Sequence, residues 1–352
     1  MPIVLVLVLV GGGAVVWWIR RRGNASASAG VDPGLPDVVL SGGRASTARE
    51  TTDGLIAVSG LTKRYKGVLA VDDLSFVVRP GRVTGFLGPN GAGKTTTLRM
   101  ILGLAAPSAG TATIGGVAYR DLAEPLRQVG GLLEASAAHK GRTGRNHLRI
   151  LCRSVGIPLE RADEVLALVG LTSAGRRKFK GYSLGMRQRL GIAAAMIGDP
   201  QVLILDEPAN GLDPDGIRWM RDLLKALAAH GRTVLVSSHL LAEIQVLADD
   251  LVIIAAGRLV AAGTVASVVN SIAPTGATLV RTPDAEKLSA ALTGDAVVTT
   301  NDAGDLYITG VDAAAIGEAA ARCGAVLHQL TTQRADLEDV FLELTKAKAE
   351  IR

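Results

Sequence analysis

Hydrophobic and polar positions divide the chain into blocks of different period. The first block, "PIVLVLVLVGGGAVVWWIRRR", carries no charge between Pro2 and Ile19. As a helix that run would span about 27 Å, close to the minimum for a bilayer core. Trp17 and Trp18 would then sit at an interface, with Arg20, Arg21 and Arg22 on the cytoplasmic side. A cleavable signal has its positive charge ahead of the apolar core, and here the charge follows it. Residues 1–22 are therefore expected as a transmembrane anchor; an over-extended start assignment and a non-spanning apolar tail are the alternatives. Residues 23–54 are rich in Gly, Ser, Ala and Pro without helical or strand period, and read as a flexible linker.

Folded sequence is expected from about Leu55. Up to about residue 270, short apolar runs alternate with helical stretches, the mark of an α/β domain. The runs "VTGFLG", "VLILDE", "TVLVSSH" and "LVIIAAG" are almost uninterrupted, which suits strands of a buried, mostly parallel sheet. After Ser271 the pattern changes to strand, helix, hairpin, helix, strand: "ATLVRT", "AEKLSAAL", "AVVTTNDAGDLYITG", "DAAAIGEAAARC" and "AVLHQLTTQ". A last helix is expected at "DLEDVFLELTK". Residues 55–272 thus form one α/β domain, and 273–352 a small α+β accessory domain with a βαββαβ order.

Composition narrows the partners. The net charge of +5 is mild and the basic residues form no continuous tract, while aromatics make up only 3%. Neither an electrostatic track nor a stacking surface for nucleic acid follows, so no nucleic-acid partner is expected. Cys152 and Cys323 have no Cys or His neighbours at metal-ligand spacing, so neither a disulfide framework nor a zinc site is expected.

"GPNGAGKT" fits the phosphate-loop pattern G-x-x-x-x-G-K-[ST], after an apolar run ending at Leu87 and before the helical "TTLRMILGL". In the loop Gly88, Pro89, Asn90, Gly91, Ala92 and Gly93, expected to bind phosphate, the glycines would let backbone N–H groups curl around it. Lys94 would add a point charge, Thr95 a hydroxyl for Mg²⁺, and Thr96 begins the following helix. In "QVLILDEPAN" an apolar strand ends on Asp206 and Glu207. Ligands of an open parallel sheet bind beyond its strands' carboxyl ends, so both acids should point toward the phosphate loop. Asp206 suits Mg²⁺; Glu207 can polarise a water for in-line attack on a γ-phosphate.

These motifs resemble, in order, those of the ATP-binding subunits of ABC transporters, over roughly Ile56 to Gly263. That resemblance implies a P-loop ATPase fold and further roles. Tyr65 would stack on adenine, His239 would contact the γ-phosphate, and Asp213 lies in the loop after the acidic strand end. "YSLGM" is similar to the family's signature loop, usually Leu-Ser-Gly-Gly-Gln. Ser183 and Gly185 would grip ATP held by a second subunit packed head to tail. Leu184 and Met186 depart from the pattern. Where the family usually has a Mg²⁺-contacting glutamine, this chain has Glu134. Together with "LEDVFLELT", these features resemble the ATPases of bacitracin- and daunorubicin-type exporters.

The resulting expectation is an ATP-hydrolysing subunit that energises a separate permease at the cytoplasmic face of the membrane, using ATP and Mg²⁺. The resemblance implies that residues 133–148 contact that permease. One rival is a mechanical ATPase acting on DNA or ribosomes. Against it stand a short gap between phosphate loop and signature, without sustained heptads, and a single phosphate loop. The other rival is a regulatory subunit without turnover, which Glu207 and His239 oppose.

Overall fold

The computed structural model describes residues 7–10, 13–16, 54–133, 138–272, 278–292, 296–301 and 304–332. The chain forms two compact units, Met1–Leu35 and Pro36–Arg352. In the first, β1 (Leu7–Val10) pairs antiparallel with β2 (Gly13–Val16), Val10 opposite Gly13. This corrects the spanning helix expected over Pro2–Ile19. Valine is stiff at χ1 and favours a pleated surface, and valines recur in both strands. Among the described residues no helix is long and apolar enough to cross a membrane.

The second unit begins with a hairpin, β3 (Ile56–Tyr65) and β4 (Val68–Val78). Its two-residue turn puts both Lys66 and Gly67 at positive φ, the primed geometry that matches strand twist. β5 (Val83–Leu87) leads into α1 (Lys94–Ile101), and β6 (Ala109–Ile114) returns to pair with β3. A helical region follows: α2 (Pro125–Gln128), β7 (Val129–Leu132), α3 (Gly144–Ser154), α4 (Arg161–Leu168) and α5 (Leu184–Ala195). Then come β8 (Val202–Asp206), α6 (Pro214–Ala229), β9 (Thr233–Ser238), α7 (Leu241–Leu247), β10 (Asp250–Ala255), β11 (Arg258–Thr264) and α8 (Val265–Ile272).

Two sheets share one core. The larger has the order β11-β10-β5-β9-β8-β7, parallel except for the edge strand β11; the smaller is β4-β3-β6. Every residue of β5, β8, β9 and β10 is buried, as expected of parallel strands covered on both faces. Between the sheets, Phe76 stacks on Phe86 with centroids 5.4 Å apart, beside Leu98, Ile101 and Val252.

The chain continues as β12 (Thr278–Arg281), α9 (Ala285–Ala291), β13 (Val297–Thr300), β14 (Leu306–Thr309), α10 (Ala313–Cys323) and β15 (Gln329–Thr332). The order β13-β14-β12-β15, all antiparallel, is the ferredoxin-like split βαβ arrangement. Its core joins Val280, Leu306 and Ile308 to Leu288 and Ile316 of the helices. Asp312 caps α10 by accepting from the Ala315 N–H at 2.7 Å, and Gly324 closes it at φ +66°. The helix expected at "DLEDVFLELTK" and the residue Glu134 lie outside the described residues.

Candidate active site

Three strand ends meet at one edge of the large sheet. Leu87 of β5 lies beside Ser238 of β9, and Ser237 lies beside Asp206 of β8. Because these strands are parallel, Gly88, His239 and Glu207 all emerge at the same carboxyl edge, where open α/β sheets bind ligands.

Gly88–Gly93 form the loop between β5 and α1. Ala92 donates its N–H to Pro89 O at 3.1 Å, and Gly257 donates to Ala92 O at 3.0 Å, fastening the loop to the β10–β11 turn. A Cβ on Gly88 would come within 2.5 Å of Ile254 O. Gly93 sits at φ +101°, where a Cβ would meet Ala70 O at 2.6 Å. Gly93→Ala should therefore cost about 1–3 kcal/mol through strain and collision. The expected result is a Tm several degrees lower with weaker ATP binding; an unchanged Tm would contradict this account of the loop.

Lys94 is buried and curls back into the loop, donating to Gly88 O at 2.6 Å and Pro89 O at 3.4 Å. Its ammonium is 3.9 Å from Glu207 Oε1. Burial pulls the Lys94 pKa below its ordinary value, and the negative charges of Glu207 and Asp206 pull the other way. Thr95 donates its hydroxyl to Asp206 Oδ2 at 2.7 Å. Ser237 donates to the other carboxylate oxygen, Oδ1, so a buried acid is held from both sides.

Glu207 follows with φ +49°, a left-handed conformation that costs a non-glycine residue about 1–2 kcal/mol. Its N–H donates to Ser237 Oγ at 3.0 Å and to Ser237 O at 3.2 Å. Its carbonyl accepts from Asn210 N at 3.2 Å and from Gln188 Nε2 at 3.0 Å. Its carboxylate Oε2 lies 2.7 Å from His239 Nδ1. An ionised carboxylate only accepts, which assigns the proton to His239 Nδ1.

The remaining expected site residues lie apart from this cluster. Ser183 caps α5, its Oγ accepting from Met186 N at 3.2 Å, and Asp213 caps α6, accepting from Gly216 N at 2.8 Å. Among the described residues, no hydrogen bond or ion pair joins Ser183 or Gly185 to the phosphate loop. Gly185 has a reason for being glycine within its own chain, because a Cβ there would lie 2.9 Å from Gly211 O. Tyr65 ends β3 nearly half exposed, with Lys63 Nζ 4.8 Å from its ring centroid. Sequence reasoning missed Ser237 and Gln188. The serine before Ser238 and His239 is a visible strand-end hydroxyl; Gln188, one turn into α5 between Arg187 and Arg189, reads as one more polar residue of a helix.

A glycine loop between strand and helix, a buried lysine inside it and a neighbouring Asp–Glu strand end define a P-loop nucleotide-binding protein. Residues 71–210 match the family described as ABC transporter, and residues 276–338 match a domain of unknown function (DUF8746). The chain is 47% identical over 209 residues to the uncharacterized ABC transporter ATP-binding protein YhcH of Bacillus subtilis (strain 168), covering 58% of this chain and 68% of that one. It is 45% identical over 208 residues to the bacitracin transport ATP-binding protein BcrA of Bacillus licheniformis, with the same coverage. Among solved structures, an ATP-binding subunit of an ABC transporter aligns with TM-score 0.58 and 30% identity, covering 62% of this chain and 93% of that one. A dimeric ATP-binding cassette bound to ADP and Pi shares the fold at TM-score 0.55 and 22% identity, covering 59% and 98%. The chain belongs to the ABC transporter ATP-binding proteins. It is an ATPase of that class.

Proposed function

We propose that this subunit binds MgATP at Gly88–Thr96, dimerises head to tail with a second copy, and drives a separate export permease. The observation that carries the reading is the continuous chain of contacts Thr95–Asp206–Ser237–Glu207–His239, with Lys94 beside it. The site suits the nucleotide. Gly91, at φ +82°, has open space where a Cβ would lie, and a buried ammonium already has oxygen partners in the loop. Thr95 and Asp206 would hold Mg²⁺, with Glu134 as a further ligand of the ion. The ion would supply positive charge against the negative charge that builds up on phosphate during transfer.

The chain's own groups divide the remaining work. Lys94, drawn from its carbonyl partners, binds phosphate and releases Glu207 from its long ion pair. Glu207 then orients water and accepts its proton, while His239 donates from Nδ1 and keeps the carboxylate aimed. Tyr65 offers a ring face to adenine. Ser183, the Gly185 backbone and the N-terminus of α5 close over ATP bound by the partner.

Export is supported by a relative named for Nod factor export, beside others named for bacitracin and lantibiotic transport. A groove of about 430 Å³, lined by Leu104, Tyr119, Leu126, Leu132 and Phe179, would receive the permease beside residues 133–148. Leu104 is 67% exposed there, an apolar contact awaiting a partner. Docking there would hold the subunit at the cytoplasmic face of the membrane. In this organisation residues 55–272 are the ATPase domain and 273–352 the accessory domain. The test is turnover by the purified chain with and without its co-expressed permease, in Mg²⁺ and in EDTA. Turnover that needs Mg²⁺ and responds to the permease is expected; Mg²⁺-independent turnover, or none with the permease present, sinks the reading.

A further inference from the structure

Segment Glu207–Gly211 leaves the catalytic strand and runs along the first two turns of α5. Three contacts stitch them together. Leu184 lies over Gly211, where an added Cβ would meet its Cγ and Cδ2 at 2.3 Å. Gly185 faces Gly211 O closely enough that no Cβ fits. One turn further, Gln188, only 4% exposed, donates from Nε2 to Glu207 O at 3.0 Å. The partner is a carbonyl, which can only accept, so the amide nitrogen must face it.

We propose that Gln188 is a positioning residue for hydrolysis, holding the peptide of Glu207 so that its carboxylate meets the attacking water. This rests on the reading of Glu207 as the base. Glu207 occupies a strained conformation, and strain persists only where surrounding groups over-determine it. Its peptide N–H is pinned by Ser237 from β9. Its carbonyl is pinned by Asn210 within the local turn and by Gln188 from α5. Asn210 moves with the turn, so Gln188 is the fixed external anchor on that side. The side chain of Glu207 pivots between these two clamps, one on a sheet strand and one on the helix that Ser183 opens. A shift of α5 when the loop before it engages phosphate would thus be felt at the base of the same chain.

Gln188→Met keeps length and volume but removes the donor. Expected is a kcat lower by about ten- to a hundredfold, the usual penalty for a slightly misplaced catalytic group, with KM for ATP within about twofold. Tm should shift by only a few degrees. Gln188→Glu adds a readout that simple packing would not move. When protonated, its O–H can donate to Glu207 O; when ionised, it repels that carbonyl. Burial raises the new carboxyl's pKa, so its kcat relative to wild type should climb as pH falls, while the Gln188→Met ratio stays flat. Wild-type kcat in Gln188→Met, or a loss accounted for by lower Tm and weaker ATP binding, overturns the assignment, as does a pH-independent Gln188→Glu ratio. Full turnover in Glu207→Gln would instead remove the base on which the inference rests.

Discussion

Glu207→Gln should bind ATP normally and lose turnover by about two orders of magnitude or more. The substitution keeps shape and the backbone clamps at Ser237, Asn210 and Gln188, so the left-handed peptide stays in place. What disappears is the group that can take a proton from water. An amide can still contact His239 Nδ1, now as a neutral acceptor, so the histidine keeps its place. Removing the carboxylate also removes the charge 3.9 Å from Lys94, which leaves that ammonium freer to bind phosphate. ATP affinity should therefore hold or rise, and an ATP-bound dimer should accumulate in size-exclusion chromatography. Unchanged single-turnover hydrolysis would take Glu207 out of its role.

The phosphate loop is legible in the sequence because its glycines, Lys94 and Thr95 fall within eight residues, even though Gly257 from the β10–β11 turn fastens it. Ser237 is not, because its part depends on β9 lying between β5 and β8. Those strands are distant in the chain and almost uniformly apolar, so nothing in their composition fixes which neighbours which. Gln188 is hidden for a related reason. A glutamine is ordinary on a helix, and only the carbonyl of Glu207, from another element, gives it a task. The order of elements from β12 to β15 follows from period and turn residues, whereas the charge-free run from Pro2 is a poor guide. Hydrophobicity counts the apolar residues but does not choose between helix and strand when Leu and Val alternate around glycines.

The second large effect concerns "GYSLGM". Gly185→Asp is a poor probe, since its side chain would strike Gly211 O of the same chain and disturb the segment after Glu207. Ser183→Asp is cleaner. Aspartate caps a helix as well as serine does, and its charge suits the positive end of α5, so the fold should hold. If Ser183 faces ATP in a partner's phosphate loop, that same charge repels a polyanion and blocks closure. Ser183→Asp and Lys94→Ala should each be inactive alone, the latter through loss of phosphate binding. Mixed, they form heterodimers in which one site has both an intact Lys94 and an intact Ser183. Random pairing makes half of the dimers mixed with one good site each, so about a quarter of wild-type activity should return if sites act independently. Crosslinking then separates coupled sites from a loop that works in cis. With Cys323 replaced, since it is partly accessible, Ser183→Cys on one chain should bond to Asn90→Cys on the exposed phosphate loop of the other, only when ATP is present. Recovery or ATP-dependent crosslinking supports the head-to-tail dimer. Heterodimers that neither recover activity nor crosslink would mean that Ser183 only caps its own helix.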